Sequence, residues 1–177
     1  MAAHCLEDEV PFGIVFRDDA GARAVGCSVL VSDVLERYDD GRLDIIVRGA
    51  ERFRVLDRFE AAEWPAAQVE MIGGGTGSPM PGAELAAARA AFGELLESVG
   101  AEPERAAGAS TSYEIAGQIE MLATDKQELL ETDDEIERLV SLEGTLRRLI
   151  GGLKRTREIA ERAKTNGHGQ GRIGPIG

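Results

Sequence analysis

The amino-acid sequence predicts an α+β fold in which a small antiparallel β lobe is followed by an α-helical bundle. Apolar residues alternate with polar ones in short segments through residues 1–72, as in half-buried strands. Glycine and proline then dominate residues 73–82, which predicts a flexible linker. From residue 83 the apolar residues recur at helical spacing, so we expect no strand beyond that point. The bundle is predicted for residues 83–164, and a disordered tail for residues 165–177.

Turn and bend signals separate the strand candidates of the β lobe. Asp39–Gly41 is a strong hairpin turn signal. Gly26 interrupts an apolar run, as a residue at a bulge or sharp bend does, and such bends allow a sheet to curl into a partly open barrel. The strand candidates are rich in β-branched and aromatic residues and comprise residues 11–17, 24–35, 42–48, 51–59 and 65–72.

Helix starts in the second half of the chain are marked by Thr followed three positions later by Glu or Gln, which is the spacing of a capping box. The pairs are Thr111 with Glu114, Thr124 with Gln127, and Thr132 with Glu135. After the third pair, a long helix carries an apolar stripe that includes Leu139, Val140 and Leu146. We expect this stripe to form much of the core of the bundle.

Composition and charge limit the classes of function. The chain has 177 residues, of which 43% are hydrophobic and 29% are charged, and its net charge is −12. A chain this acidic is a poor general partner for nucleic acid or for acidic membrane surfaces. No secretory signal opens the sequence and no apolar run approaches the ~20 residues that span a bilayer, so a cytoplasmic location is expected. The two cysteines and two histidines fit neither a disulfide framework nor a zinc pattern, so no metal or cofactor is expected.

Five segments carry distinctive patterns in a fixed order: PFGIVF at residues 11–16, VGCSV at 25–29, DGRLDIIVRGAERFRVLD at 40–57, SYEIAGQI at 112–119 and KQELLETDDEIERL at 126–139. In this order they resemble the N-terminal substrate-binding domain of Lon-type proteases, with Cys27 in place of the usual Thr. The resemblance covers about residues 12–149. It implies a β lobe of the PUA type (pseudouridine synthase and archaeosine transglycosylase), followed by a helical bundle, in a stand-alone bacterial protein.

The resemblance also implies an element ahead of the matched region. Lon N-terminal domains usually begin with an apolar strand and a Phe-Glu-Pro-Arg-Tyr element before the segment that Met1–Leu6 matches. We expect either that translation begins upstream of Met1 or that the β lobe is shortened. A shortened lobe would leave one sheet edge without its partner strand.

No enzymatic activity is predicted. The ATPase part of Lon would require a Walker A loop, but the glycine-rich residues 73–82 lack the Lys-Ser or Lys-Thr pair that contacts phosphates. The peptidase part would require a Ser–Lys dyad. The only lysines are Lys126, Lys154 and Lys164, which lie in helical segments with ordinary surface charge, and no serine has a convincing activating partner.

Three large apolar residues near the end of the β lobe are the candidate peptide-binding residues: Phe59, Trp64 and Met71. Core packing is the alternative explanation for each. A β lobe can hold an extended segment by edge pairing while apolar side chains supply pockets, and we expect a cleft near Trp64 between the lobes. By resemblance, the partners would be unfolded or exposed apolar polypeptide segments, together with a protease or chaperone, in protein quality control.

An RNA-binding PUA-like module is the alternative hypothesis. Arg48, Arg52, Arg54 and Arg58 would form a basic stripe on the outer face of the β lobe. The net charge of −12 opposes this hypothesis, because phosphate binding requires a basic surface. We therefore expect neither nucleic acid nor a membrane as a partner.

Overall fold

The computed structural model describes residues 2–60, 64–73 and 82–166, with only the backbone described for residues 165 and 166. Its elements are, in chain order, α1 (Ala2–Glu7), β1 (Phe12–Asp18), β2 (Gly21–Arg37), β3 (Leu43–Glu60), β4 (Pro65–Ile72), α2 (Gly82–Ser98), a 3₁₀ helix (Pro103–Gly108), α3 (Ser112–Ala116), α4 (Ala123–Glu131) and α5 (Glu135–Asn166). The four strands form one antiparallel sheet in the order β1-β2-β3-β4. The predicted α+β class is confirmed, and the described residues after β4 contain no strand.

Two compact units make up the chain. The sheet unit comprises residues 1–78 and 121–133, and the helical unit comprises residues 79–120 and 134–177. The sequence placed all of residues 83–164 in the helical bundle. In the structure, residues 121–133, which include α4, belong to the sheet unit. Residues 74–81 of the predicted linker and residues 167–177 of the predicted tail lie outside the described residues.

The sheet unit folds around Phe53, which is buried together with Cys5, Val25 and Val29. Two glycines allow strands to pass close to its ring. A Cβ atom added at Gly13 would lie 2.9 Å from Cζ of Phe53, and one added at Gly26 would lie 2.6 Å from the same atom. Both distances are too short for a side chain. β1 and β2 therefore pass close to the ring of Phe53 at these two glycines, and the β1–β2 register shifts directly after the pair of Val15 with Gly26. The sharp bend expected at Gly26 stays a prediction.

Hydrogen bonds from polar side chains connect α4 to the sheet. The guanidinium of the buried Arg52 on β3 donates hydrogen bonds from Nη1 to the backbone oxygens of Leu130 at 2.9 Å and Thr132 at 3.0 Å. The same nitrogen lies 3.2 Å from Oδ1 of Asp133. The buried Gln127 donates from Nε2 to the backbone oxygen of Val25 at 3.0 Å. The bonds from Arg52 satisfy carbonyl groups at the end of α4 that have no partner within the helix.

The helical unit has its core between α2 and α5. Phe92, Ile115, Leu139, Leu142 and Leu146 are among its fully buried side chains. Unexpectedly for a charged residue, Arg138 is also buried; its Nη2 lies 2.7 Å from Oε2 of Glu135. Glu135 in turn accepts hydrogen bonds from the backbone nitrogen and the hydroxyl of Ser112, at 2.7 and 2.9 Å.

On the surface of the helical unit, α2 and α5 are joined by ion pairs. Nζ of Lys154 lies 2.9 Å from Oε1 of Glu94, and Nη1 of Arg147 lies 3.4 Å from Oε2 of the same residue. The hydrogen bond from Lys154 lowers the pKa of Glu94 below its usual range. Nowhere in the described chain is a helix both long enough and apolar enough to cross a membrane.

A candidate polypeptide-binding groove

A groove of about 940 Å³ opens in the sheet unit. Its walls come from α1, from β1 and β2, and from β3 and β4, so all of its lining residues belong to this unit. The lining is mainly apolar. The buried core residue Phe53 lies in its floor, and Gly13, which lets β1 approach that ring, lies in its wall. A concave and mostly apolar site of this size is the usual form of a binding site in a protein.

All three predicted binding residues line this groove. Phe59 is 54% exposed and Met71 is 48% exposed, while Trp64 is half-buried. Core packing therefore does not explain Phe59 or Met71. Their role in binding stays a prediction, but the structure brings all three residues into one cavity.

Strand register explains why β4 presents an apolar face to the groove. Pairing joins Phe53 to Met71 and Val55 to Val69, which places these side chains on the same face of the sheet. Successive side chains of a strand point to opposite faces, so Gln68 and Glu70 point away from the groove. All residues of β4 that line the groove are apolar: Pro65, Ala66, Ala67, Val69 and Met71. Ala66, which pairs with Phe59 beyond the register shift of β3, is the one member of this set outside the alternation of Ala67, Val69 and Met71.

The sequence did not single out two contributors to the groove. Val69 is exposed on β4, and its place two residues before Met71 is the alternation signal that would have identified it. His4 on α1 stacks against Trp64 with ring centroids 5.6 Å apart. Its Nδ1 lies 3.0 Å from Oδ2 of Asp8. No local pattern links His4 to Trp64, because the two residues meet only in the folded sheet unit.

The predicted basic stripe does not form as a set of free arginines. Arg48 and Arg54 are exposed, but Arg52 is buried against α4 and its guanidinium is engaged there. Arg58 lines the groove, and its Nη2 donates to the backbone oxygen of Arg23 at 2.9 Å. Two of the four guanidinium groups that a phosphate chain would need are therefore used inside the sheet unit.

Metal binding has no support in the described part of the chain. Among those residues, no group of three or more His, Cys, Asp or Glu side chains lies together in a way that could hold an ion. His4 and Cys5 both line the groove, but their side chains have different surroundings, since Cys5 is buried and His4 pairs with Asp8.

Known proteins resemble the chain in sequence and in fold. No protein-family model matches it. A Lon protease of Paraburkholderia phytofirmans is 29% identical over 176 residues, which cover 90% of this chain and 22% of that protein. A Lon N-terminal domain protein from Xanthomonas campestris has a TM-score of 0.58 at 20% identity, covering 79% of this chain and 78% of its own. The chain therefore has the fold of a Lon N-terminal domain.

The N-terminal domain of a Mycobacterium avium complex Lon protease shares the same fold, with a TM-score of 0.65 at 19% identity over 77% of each chain. The four-stranded antiparallel sheet followed by helices is therefore the Lon N-terminal fold. The chain spans only 22% of the length of the curated relative that it matches. What the whole Lon protease does, and what it binds, is therefore a property of that longer protein and is not transferred to this chain by the similarity.

Proposed function

We propose that this Lon N-terminal-like domain is a non-catalytic module that recognises unfolded or exposed apolar polypeptide segments in its groove. The observation that carries the proposal is that Phe59, Met71 and Val69 are large, apolar and exposed, and yet line one cavity of about 940 Å³. Apolar side chains that are exposed together, in a concave site, are typical of surfaces that bind a partner.

Burial of apolar surface would supply the binding free energy. Covering exposed apolar area contributes roughly 25 cal/mol per Å², so a guest that covers several of these side chains gains several kcal/mol before the cost of its own ordering. Folded proteins keep most of their large apolar side chains inside and cannot insert them into a groove. The groove would therefore select unfolded or locally exposed segments.

The likeness to Lon supports a place in protein quality control. The curated relative is a Lon protease, and this domain would act by holding segments of client proteins, with a protease or chaperone as its further partner. Its sequence contains no Walker A segment of the form Gly-x-x-x-x-Gly-Lys-Ser/Thr, as a module that binds without hydrolysing nucleotide would not need one. The engagement of Arg52 and Arg58 by backbone oxygens removes support from the RNA-binding alternative.

Truncating Phe59 should weaken peptide binding. We expect Phe59→Ala to lower the affinity for an unfolded apolar peptide about tenfold, because aromatic side chains in a pocket often contribute more than 1 kcal/mol each. Binding can be followed by the anisotropy of a fluorescently labelled peptide, with circular dichroism to verify that the variant is folded.

Leu56→Ala is the matched control. Leu56 lies on the same strand and is equally exposed, at 55% against 54% for Phe59, but it does not line the groove. We expect the affinity of the Leu56→Ala variant for the peptide to stay within about twofold of that of the unmodified protein. Equal losses of affinity in the two variants would show that the peptide binds non-specifically to exposed apolar residues of β3, and not in the groove.

A further inference from the structure

Strand β4 forms the edge of the sheet beside the groove. In the part of the chain that the structure describes, β4 is the last strand of the sheet and pairs with β3 alone. Its other side therefore presents the N–H and C=O groups of an eight-residue strand. Such an edge is a template for another extended chain.

Protection against edge pairing is weak in β4. Natural edge strands are usually blocked by lysine, by proline within the strand or by inward-pointing charges. β4 contains no lysine or arginine, and its proline, Pro65, is the first residue of the strand. Its one charged residue, Glu70, points away from the groove, as the register of Val69 and Met71 requires.

The free edge and the apolar groove belong to the same strand. The side chains of Ala67, Val69 and Met71 line the groove while the backbone of these residues forms the sheet edge. A segment added along this edge would pair with the backbone and place every second side chain beside Val69 and Met71. One extended guest can therefore use both features.

We infer that the groove takes its guest as an added β-strand, hydrogen-bonded to the free edge of β4. This inference rests on the proposed function and specifies its mode of recognition. The guest is an extended segment of about six to eight residues, a length that matches an ordinary strand, with apolar side chains at alternate positions. The backbone of the guest is recognised in a sequence-independent manner, and the groove selects its apolar side chains.

Charge at the two ends of the groove indicates what should flank the apolar segment. Glu51 and Glu60 line the groove and are both exposed. Pairing joins Glu60 to Pro65 and Arg52 to Ile72, so the two carboxylates flank opposite ends of β4. Strand spacing separates residues 51 and 60 by roughly 30 Å.

Among the described residues that line the groove, the one basic side chain besides His4 does not offset these carboxylates for a guest. It is Arg58, and backbone oxygens of β2 accept its hydrogen bonds. Basic residues on both sides of the apolar segment therefore complement the site.

Backbone methylation of the guest tests strand addition without altering the protein. A labelled peptide with an apolar segment of eight residues between two lysines is titrated against the full chain, followed by versions that carry one N-methyl group at each position in turn. An added strand directs alternate N–H groups toward β4. We expect a loss of at least about tenfold at every second position and a change within about threefold at the positions between.

The outcomes separate the inference from the proposed function. Tight binding that is insensitive to methylation, or sensitive without a period of two, would refute strand addition and leave polypeptide recognition intact. Failure of the unmodified peptide to bind would refute both. If sedimentation shows a dimer that the peptide does not dissociate, a second copy of the chain occupies the edge, and the inference is wrong.

Glu51→Gln tests the charge of the flanking residues. We expect it to weaken binding of the lysine-flanked peptide about threefold and to leave a serine-flanked peptide unchanged, because exposed ion pairs contribute modestly. Glu70→Gln removes the same charge from the face of β4 that points away from the groove and should affect neither peptide. Equal effects of the two substitutions would refute the proposed flanking contact.

Discussion

Replacing Leu139 by alanine should lower the free energy of unfolding of the helical unit by about 2–5 kcal/mol. Leu139 lies on α5 and is fully buried in the core that α2 and α5 share. The substitution removes buried apolar atoms and leaves a cavity that neighbouring side chains fill only in part. Urea unfolding followed by circular dichroism at 222 nm measures the change, since α2 and α5 supply most of the helical signal.

The adjacent residue is the control for this substitution. Val140 is on the same helix but is 57% exposed, so Val140→Ala should change the free energy of unfolding by no more than about 0.5 kcal/mol. Similar small losses at both positions would mean that α5 does not pack against α2 through the face that contains Leu139.

Replacing Arg52 by alanine should destabilise the sheet unit by about 2–4 kcal/mol. The buried guanidinium donates to the backbone oxygens of Leu130 and Thr132, and without it both would lose a partner. Removing one side of a buried hydrogen-bonded contact with a charged group is costly, because the remaining polar atoms stay desolvated. Denaturant unfolding gives the total change, and amide hydrogen exchange of α4 (Ala123–Glu131) should accelerate because this helix loses its anchor.

Arg54→Ala is the matched control, because Arg54 lies on the same strand but is exposed. Its replacement should alter the free energy of unfolding by at most about 0.5 kcal/mol. If Arg52→Ala proved equally mild and left the exchange of α4 unchanged, the attachment of α4 to the sheet would rest on apolar contacts instead.

Local patterns account for what the sequence predicted about the fold. Apolar runs and period-two alternation predicted the strands, although two candidates, residues 42–48 and 51–59, form the single strand β3. Gly26, the glycine inside a predicted strand, lies where β2 passes close to the ring of Phe53. Thr111 caps α3 as its spacing suggested, with Oγ1 accepting from the backbone nitrogen of Glu114 at 3.2 Å. Each of these features depends on residues close together in the chain.

Contacts between distant residues account for what the sequence did not predict. Gln127 was assigned to a capping box, but its side chain reaches the backbone of Val25 in β2. Glu135 likewise bonds to Ser112, while Asp134 accepts from the backbone nitrogens of Ile136 and Glu137 at the start of α5. The spacing of a capping box can be read from a sequence. Whether the same side chain instead hydrogen-bonds to a residue far away in the chain cannot.

Alternation in a strand assigns residues to faces without revealing what covers each face. Arg52 was predicted to lie on an exposed outer face, yet α4 covers it. The same limit applies to Val140, which fits the apolar stripe of α5 by spacing but is exposed. For the groove, the large size of Phe59, Trp64 and Met71 was the useful signal. Their convergence, and the stacking of His4 on Trp64, required the folded sheet.

The most direct test of polypeptide recognition in the groove compares two ligands in one titration series. A labelled apolar peptide without charged flanks and a labelled single-stranded RNA of similar size are titrated at low and moderate salt against the chain and its Trp64→Ala variant. We predict that the peptide binds more tightly than the RNA, that its affinity changes little with salt, and that Trp64→Ala weakens it. Tighter binding of RNA with a steep loss of affinity as salt rises, the signature of phosphate contacts, would contradict the account.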